Sequence, residues 1–259
     1  MKQVLIIPDR NRMAECVELA AEAHLGFEYN DFFLPAVLDD EEKMSSILDG
    51  YSKWDLPEYT TIHGAFLDVI PFSMDAKIRE ISDLRIEQSI GVAERIGAKA
   101  VVFHTNYNPF LNTESYMATW IEANVSYWSG VLEKHPHMNI YLENMFDTTP
   151  DLLELLSEKL CRYINYGVCL DYSHAFLSKA APEIWAERLG RFVKHIHIND
   201  NDGLADLHLA WGDGVINRAK FYECYEKYMR GATVLVETNP VESKIKSIEV
   251  LKKEGFLDN

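Results

Sequence analysis

The chain has 259 residues, 47% of them hydrophobic and 25% charged, enough for one large core and ordinary for a globular protein. A formal net charge of −16 argues against a broad surface for nucleic acid or an anionic membrane, and no uncharged run approaches the ~20 residues of a membrane span. Cys16, Cys161, Cys169 and Cys224 form no C-x-x-C pair and MKQVLIIPDRN lacks a signal peptide's apolar stretch, so a reducing, cytoplasmic setting is expected.

Val4 to Ile7 reads as a buried strand closed by Pro8. Asn11 to His24 has helical spacing, with Gly26 as its stop, and Phe27-Glu28-Tyr29 is a short second strand. The segment 31–57 is weakly patterned; a helix is expected over Asp39 to Leu48 and a loop over Trp54 to Pro57. Tyr59 to Ile62 is a third strand ending in His63, and Asp75 to Ile96 a long helix closed by Gly97. Ala98 to Phe103 is a strand ending in His104, followed by a helix from Asn112 to Lys134. Met138 to Leu142 ends in Glu143, and Thr149-Pro150 opens the next helix. Gly167 to Leu170 ends in Asp171, with His174 in the turn beyond and a helix over Pro182 to Leu189. Phe192 to Ile196 ends in His197 and precedes a helix over Ile216 to Met229; Thr233 to Val236 ends in Glu237, and Val241 to Lys253 closes the chain.

Eight short apolar strands alternating with helices predict an α/β fold, a TIM (β/α)8 barrel forming one domain over residues 1–259. A doubly wound open sheet is disfavoured, because no glycine-rich phosphate loop follows the first strand. Six successive strand tips carry His63, His104, Glu143, Asp171, His197 and Glu237, and the loops beyond add His174, Asp206 and His208. Any one of these is ordinary as a core histidine, an ion-pair partner or a helix cap. Their convergence on the rim where barrel enzymes keep their sites points to a divalent metal. Carboxylates and imidazoles without a thiolate suit Zn²⁺, Mn²⁺, Fe²⁺ or Co²⁺.

The motifs Asp171-Tyr-Ser-His174, His197-Ile-Asn199-Asp200, Asp206-Leu-His208 with Gly212-Asp213-Gly214, and Val236-Glu237-Thr-Asn-Pro240 resemble those of the xylose isomerase-like TIM-barrel superfamily. That superfamily includes sugar and sugar-phosphate isomerases and epimerases and the endonuclease IV class. The resemblance implies one metal held by Glu143, Asp171, His197 and Glu237, with Glu143 and Glu237 as the catalytic acid–base pair about an enediolate. The endonuclease IV pattern of three zinc ions is matched too: His63, His104 and Glu143; Glu143, Asp171, His197 and Glu237; His174, Asp206 and His208. One Zn²⁺ or Mn²⁺ is therefore expected, with ligands enough for three.

The expected activity is isomerisation or epimerisation of a small sugar, sugar phosphate or polyol. An endonuclease IV-like phosphodiesterase is the alternative, and a non-catalytic binding barrel the third reading. The acidic charge and the absence of an Arg/Lys-rich insertion argue against a nucleic-acid partner; no membrane partner is expected, and a homo-oligomer is compatible with the sequence. Asn106, Tyr107, Asn144, Asn199 and Trp211 are candidate substrate-binding residues, though Tyr107 also reads as packing on the next helix, Trp211 as a cover for the barrel end, and the asparagines 144 and 199 as supports for ligands. Strand alternation places His195 inside the barrel beneath His197 and Lys194 in the helix layer.

Overall fold

Eight apolar segments supply the strands: β1 (Val4–Ile6), β2 (Gly26–Tyr29), β3 (Thr60–His63), β4 (Ala100–His104), β5 (Asn139–Glu143), β6 (Tyr166–Asp171), β7 (Val193–Ile198) and β8 (Thr233–Val236). In the computed structural model, which describes residues 2–66 and 68–258, they pair in parallel in chain order and β8 closes back on β1. Nearly every strand residue is buried, as expected of strands covered on both faces. The exposed exception is Lys194, which lies over Gly167 in the helix layer; a Cβ on Gly167 would stand 2.5 Å from its stem.

The helices are α1 (Met13–Ala23), α2 (Pro35–Leu38), α3 (Glu41–Tyr51), α4 (Ala76–Ile96), α5 (Glu114–Lys134), α6 (Asp151–Leu160), α7 (Tyr172–Leu177), α8 (Pro182–Leu189), α9 (Arg218–Tyr228) and α10 (Val241–Lys253). Their starts follow from side-chain caps: Asp40, Asp75, Thr113 and Asn217 each accept from a backbone N–H in the first turn. α4 ends, as expected, at left-handed Gly97. No described helix is long and apolar enough to cross a membrane.

Several boundaries differ from the sequence expectation. α1 ends at His24, itself left-handed with φ 52°, and not at Gly26. Gly26 opens β2, where the Tyr59 carbonyl would lie 2.4 Å from any Cβ, so the glycine serves close strand packing. The segment 31–57 holds two helices, α2 and α3, rather than one. Pro150 precedes α6 as its cap, and His174 lies on α7 rather than in a turn. β7 runs one residue past His197.

Candidate active site

Parallel pairing puts the expected ligands side by side. His104 is in register with Glu143, and Asp171 with His197, while Glu237 immediately follows β8. Strands that run in one direction end on one rim, so residues distant in sequence meet there. Glu143, Asp171 and His197 are fully or almost fully buried, as are His63 and Glu237.

Glu143 is the hub. Its Oε2 lies 3.5 Å from His63 Nε2, His104 Nε2 and His197 Nδ1, and its Oε1 lies 3.5 Å from His174 Nδ1. His197 Nδ1 is also 3.4 Å from Glu237 Oε2, and Asp171 belongs to the same cluster as Glu143 and His197. A third group is anchored by Asp206, whose Oδ2 lies 3.4 Å from His174 Nε2 and 2.9 Å from His208 Nε2. All nine predicted ligand positions thus converge.

The donor set fits a divalent ion. Glu143 Oε2, Asp171 Oδ2, His197 Nδ1 and Glu237 Oε2 are all buried without a hydrogen-bond partner. Each would be costly to keep dry and unpaired, and a cation is the economical partner. Three other imidazoles are oriented from behind by backbone carbonyls: His63 Nδ1 on Gly64 O (2.9 Å), His174 Nδ1 on Asn144 O (2.9 Å) and His208 Nδ1 on Glu237 O (3.0 Å). A proton donated there leaves the Nε2 lone pair facing the cluster, the tautomer a metal ligand needs.

The loop carrying Asp206 and His208 is built on Asp200. Asp200 and Leu209 exchange both backbone hydrogen bonds, and the Asp200 carboxylate accepts from the N–H groups of Asn201, Gly212 and Ile216. Gly214 presses on this turn so closely that a Cβ would stand 2.1 Å from Asn201 O. His208 is held at φ 48°, a rare conformation for a non-glycine residue and one that tends to occur at functional sites.

Electrostatics follow the same geometry. Burial opposes the charge of Glu143, but the neighbouring His197 and His104 overcome it and hold the carboxyl well below its usual range. Burial lifts Asp171 to about 7; His174 pulls it down, while Glu143 and Glu237 push it up. Burial also opposes charge on His174 and His208, yet Asp171 and Asp206 raise His174 well above its ordinary value, and Asp206 and Glu237 lift His208 to about 10.

Glu28 belongs to this layer, and the sequence did not disclose it. It sits in the barrel interior below the rim, fully buried. Its Oε2 accepts from Thr61 Oγ1 (2.7 Å) and His195 Nε2 (3.1 Å), and its Oε1 lies 3.2 Å from His197 Nε2. With Glu28 beside its Nε2, His197 faces Glu143 and Glu237 through Nδ1. His195, placed inside beneath His197 as expected, completes the layer through Thr233. Glu28→Gln is expected to weaken zinc binding by roughly 10- to 100-fold without unfolding the barrel, as loss of a ligand's supporting carboxylate typically does. Competition with a chromogenic chelator measures this, and unchanged affinity would remove Glu28 from the site.

The substrate-binding expectations fare unevenly. Asn144 bonds both backbone groups of Asp171, N–H and carbonyl, at 2.9 Å. Its amide is consumed in fixing that ligand, so its place is behind Asp171 and not on substrate. Trp211 is corrected as a substrate contact: it is fully buried against Phe221, donates to the Tyr222 hydroxyl and is not among the residues lining the two cavities at the site. Asn199 is buried beside His208, 3.4 Å from its Nδ1, in a supporting position. Tyr107 packs edge-on against Trp120 of α5 and donates to Leu111 O, yet it lines the cavity over the site, as does Asn106. Asn106 uses its amide to tie down Phe66 and Val69 carbonyls.

That cavity has a volume of about 700 Å³ and runs from His104, His174 and Asp206 to an outer wall of Phe66, Ile70, Phe110, Met145, Phe146 and Leu177. Asp147 also lines it and was not legible in the sequence. Burial pushes its carboxyl up to about 6, against the hydroxyl of Thr105 and the Met145 N–H.

A sequence model of the family described as xylose isomerase-like TIM barrel matches residues 14–254. An uncharacterized protein of Methanocaldococcus jannaschii, MJ1311, is 29% identical over 204 residues, covering 74% of this chain and 68% of its own. Among solved structures, a D-tagatose 3-epimerase-like protein superposes with a TM-score of 0.75 at 23% identity, over 98% of this chain and 96% of that one. The TTHB071 protein from Thermus thermophilus, in a crystal soaked with ZnCl2, has the same TM-score and identity over 98% of this chain and 99% of its own.

Proposed function

The chain belongs to the xylose isomerase-like TIM-barrel family, and from that premise we propose that it is a metal-dependent isomerase or epimerase of a small carbohydrate. Glu143, Asp171, His197 and Glu237 would hold a divalent ion, Zn²⁺ or Mn²⁺. Such an ion polarises the substrate's oxygens and makes the hydrogen on the neighbouring carbon acidic. The remaining work falls to the chain's own groups. Glu143 comes from β5 and Glu237 from beyond β8, three strands further round the ring, so they approach a bound substrate from different sides. One carboxylate takes the proton from carbon and the other returns it. Phe66 and Met145, at the cavity wall, limit water at the reacting carbon. The observation that carries this reading is the pair of partnerless carboxylate oxygens, Glu143 Oε2 and Glu237 Oε2, lying 3.5 and 3.4 Å from the same His197 nitrogen.

A second reading, a phosphodiesterase of the endonuclease IV type, is favoured by one feature. His63, His174 and His208 all have Nε2 turned to the cluster, which one-ion chemistry does not require. Two assays on one metal-loaded preparation separate the readings. Deuterium incorporation from heavy water into a ketose is expected, and cleavage of an abasic-site duplex is not. Cleavage abolished by His104→Ala, with no hydrogen exchange on any sugar, overturns the isomerase assignment.

A further inference from the structure

We propose that the substrate of this site carries no phosphate and ends in an apolar group seated against Phe110 and Phe146, with Asp147 as the residue that selects it by accepting a hydrogen bond from a substrate hydroxyl. The proposal rests on the carbohydrate reading above.

Charge is the first reason. Among the described residues, no lysine or arginine lines either the 700 Å³ cavity or the smaller one over the metal centre. Lys244 is fully buried, and its ammonium donates to Asn239 Oδ1 at 3.2 Å. The acids on the cavity wall are Asp68, Asp147 and Asp206. A phosphate dianion entering this space would lose water and meet carboxylates, with no guanidinium or ammonium to receive it.

Surface chemistry is the second. Phe110 is 92% exposed and Phe146 56% exposed, yet both line the cavity wall. Rings left in water at a pocket's mouth gain from covering an apolar ligand group. The third reason is Asp147. Its Oδ2 accepts from Thr105 Oγ1 at 2.5 Å and from the Met145 N–H at 3.2 Å, which fixes the carboxylate. Its Oδ1 is buried and has no partner. A hydroxyl is the donor that a sugar offers and an alkyl or phosphate group does not.

The test is calorimetric binding to zinc-loaded protein of fructose, tagatose, psicose and sorbose, each as the free sugar, the 6-deoxy sugar and the 6-phosphate. For the preferred epimer, the 6-deoxy form is expected to bind roughly tenfold tighter than the parent, the scale of one group in an apolar pocket. The 6-phosphate is expected to bind at least about tenfold more weakly than the parent. Asp147→Ala should weaken the free and 6-deoxy sugars by about 10-fold or more while leaving zinc content unchanged. Asp147→Asn, whose single oxygen is claimed by the Met145 N–H and so turns its NH2 to the substrate, should recover only a small part of that loss. Phe146→Lys, at an exposed position, should raise affinity for the phosphate alone. Equal or tighter binding of the 6-phosphate by the wild-type protein, or no binding of any sugar in the panel, overturns the proposal. The predicted ranking without deuterium exchange leaves it standing and sinks only the isomerase assignment.

Discussion

Glu143→Gln is expected to lower hydrogen exchange by on the order of 10³-fold or more and to strip most of the bound metal. Glu143 meets four of the cluster's imidazoles: both carboxylate oxygens face them, at His63, His104, His197 and His174. Glutamine preserves the shape but removes the charge and one acceptor oxygen. The four imidazoles then lose the anion they share, and the reaction loses a proton acceptor. Glu237→Gln should reduce exchange to a similar degree while retaining more metal, since His197, Asp171 and Glu143 stay in place. His63→Ala gives the contrast. Within one-ion chemistry it should cost less than about 10-fold, because His63 lies outside the set of Glu143, Asp171, His197 and Glu237. Elemental analysis and deuterium incorporation measured on the three variants check this. A Glu143→Gln protein with wild-type metal and exchange would refute the assignment, and a His63→Ala protein as dead as Glu143→Gln would move it to a metal cluster.

Zinc loading is expected to release protons and to tighten steeply as the pH rises. Among the four ligands, burial lifts Asp171 to about 7, and His197 is raised well above its ordinary value by the acidic groups around it, Glu143, Glu28 and Glu237 among them, against the effect of burial. Both therefore hold protons below neutrality, and a ligand must give up its proton to bind. Each proton displaced makes the apparent affinity fall about tenfold per pH unit on acidification. Calorimetry in buffers of different ionisation enthalpy counts the protons. The sign for stability runs the other way in the metal-free state. A raised His208 contributes stability fully below its ordinary value of 6.5 and loses it as the pH climbs toward about 10. The metal-free barrel should thus weaken with alkali over that range, while the zinc-loaded one holds. At a thousandfold excess of zinc over its Kd, binding should add roughly 4 kcal/mol to unfolding stability. Affinity independent of pH, with no proton release, would place the metal elsewhere.

Local pattern was enough to locate all eight strands and the larger helices. The period of apolar residues and the capping residues are properties of a few neighbours, and a chain carries them wherever it is cut. The nine candidate ligands were legible for a related reason. Each sits at or just beyond a strand tip, and strands that all run parallel must bring their tips to one rim. Segment 31–57 was read less well because α2 is a single short turn begun by Pro35, with little periodicity to detect.

What the sequence could not decide depends on closing the barrel. Glu28 in Phe-Glu-Tyr looks like one charged residue in a short strand. It comes to lie beside His197 only when β2 and β7 face each other across the interior, bringing it within 3.1 Å of His195, 167 positions away. Between the two roles the sequence allowed Asn144, and the two it allowed Trp211, only packing could choose: being next to a ligand in sequence does not mean facing the substrate. One turned back to hold Asp171, and the other turned out to pack on Phe221. Asp147 and the rings of Phe110 and Phe146 meet only because the loops after β4 and β5 fold over the same mouth. Residue type and spacing determine which groups reach the rim. The direction each side chain takes there is set by packing and hydrogen bonds between segments far apart in the chain.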